Sequence, residues 1–418
     1  MATEALPSRS GAFPGVHAPD LDPGPLFAKV QRRVAPFLIL LYFVAFLDRV
    51  NVSFASLTMN RDLHISDDLF GLAAGIFFVG YLIFAVPSNL MLHRVGARVW
   101  IAVLMVTWGL LSCSMAFVPG VRSYIVLRFL IGAAEAGFFP GIIVYLTLWL
   151  PGSARAAVMA LFTFSIPLSN VIGAPLSSYI LMLGGRGGLH SWQWLFLLEG
   201  LPAILIGLTV PFALAGSPRT VSWLTSAEKD NLLDLIAREE VEVAPTLAGS
   251  RRSLLREWLS PRLAIPSAIY FFLMIGLYAL GFWVPRILSS LNVPDRRLGW
   301  LTAVPFFIGG VYMLFYSRRS DAARSRTPYL VGALASGSVG MGIVAFASDW
   351  RLALLGLSLA AAGILSAMPV FWAALSQRLT RSESVVVIAV VNSVGNIGGF
   401  LSPYAIGWLL KTTHRYEY

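Results

Sequence analysis

Residues 34–57 read VAPFLILLYFVAFLDRVNVSFASL, an apolar stretch whose charged residues are the adjacent Asp48 and Arg49. A helix needs about 20 mainly apolar residues to cross the roughly 30 Å hydrocarbon core of a bilayer. This stretch is therefore long enough to span a membrane. Charges within such a span are costly, so Asp48 and Arg49 become candidates for a functional site.

The rest of the chain repeats this pattern. Of its 418 residues, 57% are hydrophobic and 12% charged, whereas soluble domains carry about 25% charge, so the composition argues strongly against a soluble enzyme. The single cysteine, Cys113, excludes an intramolecular disulfide framework and any cysteine-based metal centre, and the five histidines show no metal-ligand spacing. We predict eleven spans, near 34–57, 70–92, 99–117, 123–147, 156–182, 193–214, 264–285, 299–316, 328–347, 352–375 and 385–410.

The net charge of +10 is explained mainly by membrane topology. With a cytoplasmic N-terminus, alternating spans place 20 of the 31 lysines and arginines in cytoplasmic segments and 9 in outer segments, as the positive-inside rule expects. The basic balance is therefore weak evidence for a nucleic-acid partner. Residues 1–33, rich in proline, glycine and serine and without a signal peptide, are expected to form a disordered cytoplasmic tail.

A long polar interruption at 216–262 divides the spans into an N-terminal bundle at 34–215 and a C-terminal bundle at 263–418. Thr225 and Glu228 have the spacing of a capping box, which predicts a short amphipathic helix lying on the inner membrane face. A regulatory or partner-binding role for this helix is the minor alternative.

The two halves form a weak internal repeat, which is typical of secondary transporters. Pro36 matches Pro266 and Pro140 matches Pro369, at offsets of 230 and 229 residues. The sixth span would then have its partner beyond the last residue, so we expect a twelfth helix to be missing and the C-terminus to lie on the outer side.

The charged residues predicted inside spans lie at similar depths. Asp48, Arg49 and Arg128 are expected in the outer half of the membrane. Glu135 follows Arg128 by about two helical turns, on nearly the same face and near the midplane, and Gly132 leaves space on that face. One interpretation is a structural ion-pair cluster. The other is a site in which Arg49 and Arg128 bind a carboxylate bidentately while Asp48 and Glu135 exchange protons.

The first half contains the motifs FLDRVNV at 46–52, GY at 80–81, PSN at 87–89, HRVGAR at 93–98, RFLIG at 128–132 and EAGFFPG at 135–141. These motifs resemble those of the anion:cation symporter family of the major facilitator superfamily. The resemblance implies an all-α fold of two six-helix bundles that imports organic anions, such as sugar acids, hydroxy-dicarboxylates or aromatic acids, with protons. His93 departs from this family by replacing the usual acidic residue of the loop between spans 2 and 3, which puts the charge lock on that side in doubt.

Three further residues are candidates for substrate binding. Tyr81 lies about midway along span 2 and could donate its hydroxyl to a ligand or to the backbone. The family resemblance implies ligand contacts for Asn392 and Trp372. Asn392 could instead join helices through its side chain, and Trp372 could instead belong to the aromatic belt at the membrane surface.

The short loop between spans 2 and 3 contains the candidate gating residues Arg94, Gly96 and Arg98. Glycine permits a tight turn, and the arginines can cap helix ends or pair with acids in one conformational state. The alternative is that the two arginines only enforce topology.

The sequence therefore predicts a monomeric, multi-pass inner-membrane transporter that imports an organic anion with protons and needs no cofactor or metal. A proton-independent facilitator or an exporter on the same fold is the alternative. An enzyme is disfavoured because the sequence has no clustered catalytic residues, and ATP-driven transport because it has no phosphate-binding P-loop.

Overall fold

The computed structural model of the chain describes residues 23–247, 261–323, 325–377 and 381–413. Short 3₁₀ turns at Met115–Phe117, Arg186–Gly188 and Pro218–Thr220 interrupt an otherwise α-helical architecture. The α-helices are α1 (Pro23–Asp62), α2 (Asp67–Val95), α3 (Ala97–Ser114), α4 (Val121–Glu135), α5 (Phe138–Thr147), α6 (Gly152–Leu181), α7 (Ser191–Ala213), α8 (Ser226–Leu247), α9 (Pro261–Ser290), α10 (Asp295–Ala322), α11 (Thr327–Ala345), α12 (Trp350–Ser376) and α13 (Arg381–Thr413).

The helices confirm the predicted all-α membrane fold. Among the described residues, 10 segments are long and apolar enough to cross a membrane, with α4 and α5 together forming one of them. The eleventh predicted span, 385–410, lies on α13, a helix of 33 residues.

The predicted disordered tail is too long. Helix α1 begins at Pro23, so residues 23–33 are helical, while residues 1–22 lie outside the described part of the chain. Leu26 and Val30 are buried in this first segment, within a hydrophobic cluster shared with other helices. Burial of these two side chains explains why the helix extends beyond the predicted span.

Pro140 accounts for the break between α4 and α5. Proline has no N–H to donate to the carbonyl four residues earlier, here that of Ala136, and its ring crowds that carbonyl. Helix α4 accordingly ends at Glu135 and α5 begins at Phe138. The carboxyl group of Glu135 therefore lies at a helix end in the middle of a membrane-spanning segment.

The helices pack as two groups separated by α8. In the first group α1 packs against α6 and α7, α2 against α4, and α3 against α7. In the second group α11 and α10 both pack against α12, and α9 packs against α13. The groups meet where α2 packs against α13 and α6 packs against α10. Residues from both groups thus surround a common central region.

Helix α8 begins with the predicted capping box. The backbone N–H of Glu228 donates to Thr225 Oγ1 at 3.2 Å, and the backbone N–H of Thr225 donates to Glu228 Oε2 at 2.8 Å. Lys29 of α1 also donates to the Glu228 carboxylate at 2.8 Å, and this contact helps to lower the pKa of that carboxyl group. The linker helix is thereby connected to the start of the first helix.

Candidate functional site

The centre of the site is an ion pair between α1 and the end of α4. Arg49 Nη2 donates a short hydrogen bond to Glu135 Oε2. The Arg49 side chain remains 13% exposed, whereas that of Glu135 is 1% exposed. Glu135 Oε1 is buried and has no hydrogen-bond partner in the part of the chain that the structure describes. The arginine is thus the member of the pair that an incoming molecule can reach.

Aromatic side chains surround the Arg49 guanidinium. Its central carbon lies 5.0 Å from the ring centroids of Phe46 and Phe77 and 5.9 Å from that of Tyr81. Such contacts stabilise a cation over a ring face. The structure therefore brings Tyr81, a predicted binding residue, to the predicted arginine.

The second group of helices contributes Tyr278 to the same place. Arg49 Nη1 donates to the Tyr278 hydroxyl at 3.5 Å, which joins α1 to α9. At the repeat offset of 230 residues, Tyr278 aligns with Asp48, the residue next to Arg49. Because Tyr278 is uncharged, the charges around the central site come from the first group of helices, and the two groups contribute to it unequally.

Arg128 lies behind Phe77 rather than beside Arg49. Its guanidinium carbon is 5.1 Å from the Phe77 centroid, and its Nε donates to the Ala73 carbonyl at 3.4 Å. Only 2% of Arg128 is exposed, and its Nη2 is buried without a partner. The two predicted anion-binding arginines therefore contact one aromatic ring, but only Arg49 is substantially accessible.

Gly132 brings helices α2 and α4 together. A Cβ atom at this position would lie 1.9 Å from the Phe77 carbonyl oxygen. The space that the sequence analysis assigned to this face is therefore filled by the backbone of α2, and that interpretation of Gly132 is wrong. Close helix packing through glycine is common in membrane proteins.

Asp48 points to a different set of neighbours from Arg49. Its Oδ1 accepts a short hydrogen bond from the Ser112 hydroxyl and another, at 3.2 Å, from the Asn51 amide. An ion-pair cluster of the four charged residues, one of the two interpretations of the sequence, would give Asp48 an arginine as a partner. In the structure Asp48 forms no ion pair, while Glu135 is the acid that pairs with Arg49. That expected pairing is wrong because adjacent residues on a helix project about 100° apart.

Trp372 packs within the second group of helices. Its ring lies 4.7 Å from that of Tyr270 and 5.3 Å from that of Phe371, centroid to centroid, and it is partly buried. Asn392 accepts a hydrogen bond at its backbone carbonyl from the Asn396 side chain at 3.1 Å. Among the described contacts, neither Asn392 nor Trp372 touches the Arg49 guanidinium, so their ligand contacts remain predictions.

The loop between α2 and α3 contains the predicted gating residues. Gly96 has φ +88°, a conformation that favours glycine, and it allows the turn between the two helices. Arg94 is exposed. The buried Arg98 Nε has no partner, and Arg98 lies beside Gly216 at the start of the linker. We call this surface the α2–α3 side.

Ion pairs join the two groups of helices on the opposite surface, where α1 ends and α2 begins, which we call the α1–α2 side. Arg286 of α9 forms a short ion pair with Asp67, and Lys411 of α13 donates to Asp68 at 2.8 Å. Ser178 of α6 also donates to the Asp295 carbonyl of α10 at 3.1 Å. These contacts hold the α1–α2 side closed in this structure.

Sequence reasoning missed several residues of this region. Tyr278, Tyr42 and Tyr270 were not among the predicted site residues. The rule that ionisable residues inside spans are candidates would also have selected Glu199 of α7, which is fully buried. Aromatic residues lack such a signal, because they are common in membrane helices for packing alone.

A family model described as "Major Facilitator Superfamily" matches residues 38–412. The chain belongs to this superfamily. A protein of Agrobacterium vitis named "Putative tartrate transporter" is 43% identical over 96% of this chain and 88% of its own length. The inner membrane transport protein RhmT of Escherichia coli is 35% identical over 90% of this chain and 86% of its own.

Solved structures show the same fold at much lower sequence identity. The xylose transporter XylE of Escherichia coli, in a partially occluded inward-open conformation, has a TM-score of 0.72 at 16% identity, covering 92% of this chain and 94% of that chain. A bacterial homologue of the human lysosomal transporter Spinster has a TM-score of 0.71 at 17% identity, covering 93% and 83%. The chain is therefore a multi-pass membrane transporter and not an enzyme.

Proposed function

We propose that this transporter carries a small organic anion together with protons, as a member of the anion:cation symporter family within the superfamily. The observation that carries this proposal is the partly exposed Arg49, paired with the buried acid Glu135 at the junction of the two groups of helices. A guanidinium is suited to a carboxylate because it offers two parallel N–H donors.

Competition for Arg49 would couple the two substrates. When a carboxylate binds to the guanidinium, Glu135 loses the cation that stabilises its charge. A buried carboxylate without a cation binds a proton more readily. Anion binding then favours protonation of Glu135, and protonation frees Arg49 for the anion, as thermodynamic reciprocity requires. The unpartnered Glu135 Oε1 is an atom at which this proton can bind.

The substrate class follows from the groups around Arg49. The Tyr278 hydroxyl accepts a hydrogen bond from the guanidinium, and the ring of Tyr81, which also carries a hydroxyl, lies 5.9 Å from the guanidinium carbon. Hydroxyl groups next to an arginine suit a carboxylate that itself carries hydroxyls. Tartrate, the compound in the name of the 43% identical relative, has this chemistry. We therefore propose a hydroxylated carboxylate as the substrate.

The other predicted residues have supporting roles in this proposal. Arg128 provides a second positive charge behind Phe77, and its unpartnered Nη2 is available if Phe77 moves. Asn392 and Trp372 lie on helices of the second group and would contact the part of the substrate remote from its carboxylate. Asp48 is the second proton-binding candidate because it is buried and lacks a cationic partner.

The direction of transport depends on orientation. With a cytoplasmic N-terminus in the inner membrane, the α1–α2 side is external and the structure is closed to the outside. Arg94, Gly96 and Arg98 then form the cytoplasmic gate between α2 and α3. A single chain contains the complete proposed site, so the functional unit is a monomer.

Transport by reconstituted vesicles tests the proposal. Glu135→Gln should abolish tartrate accumulation driven by an inward pH gradient while leaving tartrate counterflow intact, because the amide cannot exchange a proton. Asp230→Asn, which removes an exposed carboxylate on α8, is the matched control and should keep both activities. Continued gradient-driven accumulation in both Glu135→Gln and Asp48→Asn would refute coupling through these acids and favour a proton-independent facilitator.

A further inference from the structure

Glu199 is a buried acid that the proposed coupling does not use. It lies on α7 with 0% of its surface exposed. Its Oε1 accepts a hydrogen bond from the Ser177 hydroxyl of α6 at 2.6 Å. Its Oε2 is also buried and has no hydrogen-bond partner among the described residues. A neutral hydroxyl therefore donates to a carboxyl group that is completely removed from water.

Asp48 of α1 lies within electrostatic range of Glu199, and the Asn51 side chain lies near both carboxyl groups. Ser112 of α3 donates to Asp48, and the Cys113 thiol of the same helix contacts the Leu197 carbonyl at 3.8 Å. The first group of helices thus contains two neighbouring acids whose hydrogen-bond donors, within the described part of the chain, are hydroxyl and amide groups.

Cations do not neutralise these two acids directly. Arg128 and Glu135 of α4 lie within electrostatic range of Asp48, but neither Asp48 nor Glu199 forms an ion pair with a described lysine, arginine or histidine. Arg49, the nearest arginine in sequence, is committed to Glu135. Glu135 has a cation as partner, so its environment differs from that of the other two acids.

Two ionised carboxylates in this environment would be strongly unfavourable. Burial of an unpaired charge costs several kcal/mol, and two neighbouring negative charges repel each other as well. A single bound proton removes one of the charges and gives the pair a further hydrogen-bond donor. Pairs of acids that hold one proton between them are a known consequence of such repulsion.

We propose that Glu199 and Asp48 form a second proton-binding site, which holds one exchangeable proton and is connected through Asn51. The site is separate from the Arg49–Glu135 pair, because its acids accept hydrogen bonds from Ser112 and Ser177, whereas the Arg49 guanidinium pairs with Glu135. Its role in symport rests on the proposed function, whereas its proton occupancy does not. An anion bound at Arg49 would affect this site only indirectly, through Glu135 and Arg128.

Infrared spectroscopy of the purified protein tests the occupancy without measuring transport. Protonated carboxylic acids have a carbonyl stretching band distinct from the bands of carboxylates. We expect such a band at neutral pH in the wild type and a reduced band in Glu199→Gln. Asp230→Asn, which removes an exposed carboxylate on α8, is the matched control and should keep the wild-type band. An unreduced band in both Glu199→Gln and Asp48→Asn would overturn the proposal.

Ser177→Ala provides a test that retains both acids. Loss of the Ser177 hydrogen bond to Oε1 should shift the carboxylic-acid band to higher frequency, because Oε1 is the carbonyl oxygen when the unpartnered Oε2 carries the proton. If Glu199→Gln does not fold, an unshifted band in Ser177→Ala overturns the proposal. Vesicle transport is assayed separately. Absence of proton-driven tartrate uptake in the wild type would refute the proposed function and leave the infrared result standing.

Discussion

Arg49→Lys is the substitution that most directly tests the anion site. It preserves the positive charge but replaces the planar guanidinium with an ammonium group, which binds a carboxylate as a point charge. In the structure the guanidinium uses Nη2 for Glu135 and Nη1 for Tyr278, and it lies 5.0 Å from the Phe46 and Phe77 centroids. A lysine cannot reproduce both donors in this plane.

The expected loss follows from one charge-assisted hydrogen bond. Such a bond contributes about 1.5–3 kcal/mol when a charged group takes part. Because about 1.4 kcal/mol corresponds to a tenfold change in affinity, Arg49→Lys should weaken carboxylate binding by roughly 10- to 100-fold. The loss of guanidinium stacking on the aromatic rings would weaken binding further, although an ammonium group retains part of the attraction between a cation and a ring.

Binding of tartrate and of a panel of other carboxylates to the purified protein can be measured by isothermal titration calorimetry. Arg351→Lys is the matched control, since Arg351 is exposed at the start of α12 and lies 5.3 Å from the Trp350 ring. It should bind as the wild type does. Arg128→Lys should also weaken binding if both arginines serve the anion. Wild-type affinity in both Arg49→Lys and Arg128→Lys would show that the guanidinium groups do not bind the substrate.

Two further substitutions test the packing and the linker. Gly132→Ala should lower the midpoint of thermal unfolding, because the added Cβ would lie 1.9 Å from the Phe77 carbonyl oxygen and overpacking costs about 1–3 kcal/mol. Gly342→Ala is the control, since a Cβ at that position would have no neighbouring atom within 4 Å, and it should not lower the midpoint. For the linker, the Lys29 contact helps to lower the pKa of the Glu228 carboxyl group in the folded state. The ionised Glu228 therefore stabilises the fold fully above its unfolded-state pKa of about 4.3, and this stabilisation is lost as pH falls through the lower folded-state pKa. Amide hydrogen exchange of α8, corrected for intrinsic rates, should therefore show an acid-induced loss of protection in the wild type. Glu228→Gln should already be less protected than the wild type at neutral pH. Equal protection of the two proteins at neutral pH would contradict the role of this contact.

Residue type and spacing alone determined the membrane fold and the set of candidate charges. Apolar runs of about 20 residues are sufficient to predict spans, because a bilayer imposes a minimum helix length. The cost of a charge in lipid identifies Asp48, Arg49, Arg128 and Glu135 wherever they occur in such runs, and would also have identified Glu199. Thr225 and the acid three residues later predict the start of α8, because a capping box is a local structure.

The tertiary structure decided which of these groups are partners. Helical periodicity predicts that the side chains of Asp48 and Arg49 point in different directions from α1. Which residues each side chain meets depends on the helices that pack against those two faces. Packing placed Glu135 beside Arg49, the α2 backbone against Gly132, and Tyr278, 229 residues away in sequence, at the same guanidinium. Such contacts cannot be predicted from one local segment, because side chains from helices distant in sequence compete for the same space. The distinction between an acid paired with an arginine and an acid left to bind a proton therefore arises only when the helices are assembled.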